Sequence, residues 1–115
     1  MDYKAEEKIL TSGKRIFLVR RNGFGGVFDS EVWEWLAANN LQMMSLEEAK
    51  KHKGELLNST QEEDRFTVTS WKSRHEFHYL QYGGDLGERS LEVEDRGSIY
   101  WGFCSNVVYL AVESQ

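Results

Sequence analysis

RFTVTSWKSRHEFHYLQY, residues 65–82, is where the chain changes period. Phe66 and Val68 alternate with Arg65, Thr67 and Thr69, the two-residue repeat of a strand with one face on a core. A second run covers Arg74 to Tyr82, and a third covers Glu88 to Asp95 around Leu91 and Val93. Ile99 to Phe103 and Val107 to Val112 make the fourth and fifth. Gly83-Gly84-Asp85-Leu86-Gly87, Asp95-Arg96-Gly97-Ser98 and Ser105-Asn106 supply turn residues between them. Short strands joined by short turns predict an antiparallel β-meander over residues 65–112.

Upstream, residues 1–57 read as a mixed strand and helix part. Residues 2–10 are expected to form a short helix on the weak stripe Tyr3, Ala5, Ile9 and Leu10. Arg15 to Arg20 is a strand, with β-branched and aromatic members. Asp29 or Ser30 caps a helix running to about Ala38, whose buried face is Val32, Trp35 and Leu36. Asn39-Asn40 is its stop. Leu41 to Met44 is a short strand or an extended connection. Ser45-Leu46-Glu47-Glu48 then has the form of a capping box and opens a second helix ending near Gly54. The polar stretch Asn58 to Asp64 joins the two parts. The expected fold is α+β in one domain, 1–115: an antiparallel sheet of about five or six strands packed on one face by two short helices.

Composition bounds the function. A chain of 115 residues buries roughly two thirds of its unfolded surface and needs neither disulfide nor metal to fold. Its one cysteine, Cys104, gives no disulfide framework. The opening MDYKAEEKILTSGKR has no apolar stretch of signal-peptide length, and no run approaches the roughly 20 apolar residues of a membrane span. The chain is therefore expected to be cytoplasmic, with no membrane partner. Aromatic residues at 13% and the absence of proline point to a folded core rather than a disordered or modular chain.

The formal charge is −5, and all of it lies in the second half. Residues 1–57 hold nine Lys/Arg and nine Asp/Glu, whereas residues 58–115 hold five and ten. Nucleic-acid backbones are bound by clustered Lys and Arg, so that half is not expected to bind DNA or RNA directly. A basic protein surface is the natural complement.

Four motifs are candidates for chemistry. Gly23-Phe24-Gly25-Gly26 between a strand and a helix has the look of a phosphate loop. A dinucleotide fingerprint needs a small residue where Phe28 stands, and a P-loop needs Lys-Ser/Thr where Asp29-Ser30-Glu31 stands. The loop is expected to be a turn. His75-Glu76-Phe77-His78 is one residue short of H-E-x-x-H, and on a strand its histidines point to opposite faces. No metal or other cofactor is expected. Cys104 ends an apolar run, where a small buried hydrophobe is the ordinary role. Glu92 and Glu94 share one strand face as equivalent carboxylates, whereas acid–base catalysis needs two whose environments differ. No catalytic residue is assigned, and the chain is read as no enzyme.

The remaining constellation is distributed. Trp71, Phe77, Tyr79, Tyr82, Tyr100, Trp101, Phe103 and Tyr109 all fall in the acidic half. One part of this set fills a core. Another is available as amphipathic anchors, which Tyr and Trp supply at protein interfaces. The expected partner-binding residues are Glu62, Glu63, Asp64, Glu92, Glu94 and Asp95 for charge, with Tyr82, Tyr100 and Trp101 as anchors. In size and charge the chain is similar to immunity proteins that neutralise nuclease toxins and to phage-encoded inhibitors of host defence. That resemblance implies a non-enzymatic inhibitor docking a basic partner such as a toxin nuclease. The alternatives are a nucleotide-binding or small-molecule enzyme using the Gly23–Gly26 loop, and a homo-oligomeric structural component.

Overall fold

A computed structural model of the chain describes residues 3–21, 27–29, 31–59, 66–71, 76–81, 86–90, 98–100 and 107–114. The strands are β1 (Tyr3–Ile9), β2 (Arg15–Arg21), β3 (Val27–Asp29), β4 (Leu41–Met43), β5 (Phe66–Trp71), β6 (Glu76–Gln81), β7 (Leu86–Ser90), β8 (Ser98–Tyr100) and β9 (Val107–Glu113). The helices are α1 (Val32–Ala38), α2 (Leu46–Lys51) and α3 (Lys53–Ser59). The chain is thus α+β, with a mainly antiparallel sheet.

The sheet is built around its last strand. Val107-Val108-Tyr109-Leu110-Ala111-Val112 is a continuous apolar run, and such a run suits a strand covered on both faces. β9 lies centrally in a seven-stranded sheet of order β1-β2-β9-β5-β6-β7. It pairs with β2 on one side, while β5 (parallel) and β4 (antiparallel) pair with different stretches of it. Its alternate side chains feed two cores. Val107, Tyr109 and Ala111 pack with Val19, Trp71 and the α1 residues Val32 and Leu36. Val108, Leu110 and Val112 pack with Ile16, Leu18, Leu80, Ala49 of α2 and Leu56 of α3.

Several expectations are corrected here. The helices do not share one face: α1 covers one side and α2–α3 the other, because a doubly apolar β9 needs cover on both. Among the described residues there are three of them, since Gly54 lies inside α3 and His52 is the C-cap of α2. The sheet exceeds the expected five or six strands, and it is not a plain meander. β5, β6 and β7 do run as an antiparallel meander. β8, however, leaves to pair with β3 in a separate two-stranded ladder, and β9 returns beside β5 in parallel. The third run begins earlier than expected, at Leu86, within the stretch read as a turn.

Residues 2–10 were expected to be helical, yet Tyr3–Ile9 is a strand. Lys4-Ala5-Glu6-Glu7-Lys8 favours helix locally, but every residue of β1 pairs with β2, from Tyr3↔Arg21 to Ile9↔Arg15. The hairpin is closed by Gly13 N–H donating to Leu10 O at 2.8 Å, with Gly13 at φ +91°, a conformation suited to glycine. Apart from Tyr3, β1 is exposed, and its charges suit a sheet edge.

α1 begins at Val32 with Glu31 at the cap position and no side-chain cap bond; Asp29 belongs to β3 instead, and Ser30 lies outside the described residues. Trp35 is half-buried rather than fully so. Asn40 follows at φ 58°, a left-handed stop that asparagine tolerates. The Ser45 hydroxyl does accept the Glu48 N–H, at 3.2 Å. The Glu48 carboxylate pairs with Lys14 at 3.0 Å, tying α2 to the end of the first hairpin. Among the described residues no helix is long and apolar enough to cross a membrane.

Candidate functional site

Glu62, Glu63, Asp64, Tyr82, Glu92, Glu94, Asp95 and Trp101 lie outside the described residues, as do Gly23 to Gly26, His75 and Cys104. Tyr100 is described in its backbone, opposite Val27 in the β3–β8 ladder. Of the aromatic set, Trp71 and Tyr109 are buried core residues and Tyr79 packs against the same cluster. Those three therefore serve the fold.

The described residues assemble one feature that periodicity does not announce. On the α1 side of the sheet, Tyr3 of β1 meets Trp35 of α1 at 5.6 Å between ring centroids and Tyr109 of β9 at 6.5 Å, edge-on. Beside this aromatic stack lies a groove of about 460 Å³. Ala5, Phe17 and Trp35 give it an apolar lining, Asn39 and Asn40 form an amide rim, and Glu113 supplies a carboxylate. The rim is held by Asn39 Nδ2 donating to Trp35 O at 2.8 Å and by Ser114 N–H donating to Asn40 O at 2.9 Å. The last turn of α1 contains no basic residue.

One edge of the groove carries a charge cluster. The Arg15 guanidinium lies over the Phe17 ring at 5.6 Å from its centroid. Its Nη2 donates to Glu7 at 2.6 Å and its Nη1 to Glu113 at 2.5 Å. The Glu7 hydrogen bond first, and then the charge of Glu113, raise the Arg15 pKa above the ordinary arginine value. A raised pKa on a cationic group stabilises the fold at every pH below that value and is lost only on its alkaline side. The guanidinium is therefore charged throughout any working range. Beyond this cluster is a second hollow, about 470 Å³, lined by Lys14, Gln42, Ser45 and Glu48 among others. There Lys14 already pairs with Glu48.

A third cluster lies on the sheet. The β5–β6 register shifts between Val68 and Ser70, which brings Ser70 opposite His78. Ser70 Oγ and His78 Nδ1 share a hydrogen bond, and Glu88 of β7 is the residue opposite His78 on its other side. Serine beside histidine is a nucleophile–base pairing in kind. His78, however, is only 5% exposed, so the bond is internal to the fold.

No family model, curated protein or solved structure matches the chain.

The site is thus read from its own chemistry. Among the described residues no group of three His, Cys, Asp or Glu gathers to hold a metal. The groove is a binding surface in character: aromatic rings, amides, a carboxylate and Ser114 line it. Sequence reasoning placed Phe17 and Trp35 in separate elements and Asn39-Asn40 as a helix stop. Their convergence depends on β9 lying beside β2, which no local pattern encodes.

Proposed function

We propose that the chain is a non-enzymatic binding protein, an inhibitor of the immunity-protein type, that docks a basic protein partner such as a nuclease toxin. The contact uses the acids and aromatics of the second half. The observation that carries this reading is the order of the strands. β1 and β7 are the two ends of the main sheet, and the stretches of sequence that contain them differ in charge. Residues 3–21, spanning β1 and β2, hold six Lys/Arg and two Asp/Glu; residues 82–97, spanning β7, hold two and five. On this reading a basic partner is drawn to the acidic sequence that flanks β7 in the chain. Glu92, Glu94 and Asp95 follow β7 in the chain, and Tyr82, Tyr100 and Trp101 supply anchors.

The test is the rate of association with purified basic nuclease domains, with a basic protein lacking nuclease activity as charge control. Replacing Glu92, Glu94 and Asp95 by Gln, Gln and Asn is expected to slow association about tenfold or more at low salt and to flatten its salt dependence. One nuclease should be inhibited at equimolar chain. A rate indifferent to both the substitutions and the salt sinks the reading.

A further inference from the structure

We propose that the groove between α1 and the β1–β2 hairpin is an arginine-side-chain receptor, the seat for a guanidinium of the basic partner. This rests on the reading of the chain as a binder of basic proteins and gives it a second, separately testable contact. Four observations converge on a planar cation. The groove is lined by two aromatic rings, Phe17 and Trp35, and cations are attracted to such rings. Among the described residues its one charged lining residue is Glu113. Asn39 and Asn40 provide amide oxygens at the rim, next to a helix end whose last turn holds no Lys or Arg.

The fourth observation is an internal precedent. Arg15 already makes, at the groove's edge, the contact proposed for the incoming side chain: a guanidinium over Phe17, bonded to carboxylates on both sides. Arg15 does not saturate that edge, because Glu7 and Glu113 set two negative charges against its one positive charge. Within this three-residue cluster a second cation completes the balance. Lysine fits less well than arginine, since the planar fork both stacks on a ring and bridges two acceptors.

This groove also explains two exposed features. Ala5 is the small residue of β1 that faces the groove between Tyr3 and Glu7, so the floor beside Phe17 is left open. The Glu113 side chain is more than half exposed, which keeps it accessible to a ligand while it holds Arg15.

The experiment uses the intact chain and Nα-acetyl-arginine amide as probe, followed by NMR of the Trp35 indole N–H and the Asn39 and Asn40 side-chain amides. Saturable shifts of these signals are expected. The uncharged isostere Nα-acetyl-citrulline amide should bind about threefold to fivefold more weakly or not at all, as loss of a cation–π and ion-pair contact dictates. Glu113→Gln, an exposed substitution that leaves the core intact, should weaken the arginine probe by a similar factor. Ala5→Trp, which fills the floor, should abolish the shifts while the folded spectrum persists. Equal binding of both probes, or arginine binding untouched by Glu113→Gln and Ala5→Trp, overturns the proposal. Failure here with intact salt-dependent docking of a basic nuclease would remove the groove alone. Groove binding without any such docking would remove the partner reading and leave a guanidinium site.

Discussion

Two glycines with opposite duties show how far single residues decide this fold. Gly13 turns the first hairpin at φ +91°, and a Cβ built there meets nothing within 4 Å. The obstacle to any other residue is therefore backbone strain, not space. Gly54 lies within α3 at ordinary backbone angles, also with nothing within 4 Å of an added Cβ. Gly13→Ala should lower stability by about 1–2 kcal/mol, the cost of a left-handed alanine. Gly54→Ala should raise it by up to about 1 kcal/mol, because alanine is the better helix former. Urea midpoints of the two variants are expected to move in opposite directions. Equal shifts would mean that the hairpin turn does not require glycine. The Arg15 cluster acts at the same scale in another manner: its side chains are about half exposed, so it contributes little to stability and more to the charge of the groove it borders.

At the scale of elements, strands were legible wherever the sequence alternates or runs apolar, as in β2, β5, β6 and β9. The Ser45 cap was legible too, because a hydroxyl before Leu46-Glu47-Glu48 is a local signal. Two things were not. β1 carries helix-forming residues and becomes a strand only because β2 lies beside it for its whole length. The distribution of helices over both faces depends on β9 being central, and the Val107–Val112 run is compatible with several places in a sheet. The groove was hidden for the same reason. The two-faced core makes a direct prediction. Leu36→Ala on α1 and Leu56→Ala on α3 each empty a fully enclosed site, on opposite faces, and each should cost about 2–5 kcal/mol. In a sheet covered on one face only, one of the two leucines would sit at the surface, where substitutions stay within about 0.5 kcal/mol. Chemical denaturation of both variants separates the cases.

Across the whole molecule, the charge difference between the β1–β2 segment and the sequence flanking β7 should be visible only when salt permits. Strands lie about 4.8 Å apart, so the five steps from β1 to β7 span about 24 Å, within a longest dimension of 40 Å. At physiological ionic strength the screening length is about 8 Å, and at 0.01 M it is about 30 Å. Charges on β1 are thus some three screening lengths from a partner at β7 in the first condition and less than one in the second. Lys4 and Lys8 are both exposed on β1. The double variant Lys4→Glu, Lys8→Glu makes the chain more acidic without touching the β7 end. At 0.01 M its association with a basic partner should be several-fold faster, through the long-range field. At 0.15 M the encounter rate should return to that of the unmodified chain, since the groove contact forms after the encounter and acts on dissociation, while the Glu92, Glu94 and Asp95 replacements still slow it. Stopped-flow association at the two salt concentrations measures both. If the β1 variant changes the rate at 0.15 M as much as the acid replacements do, encounter is not localised at β7, and net charge rather than its placement along the sheet governs binding.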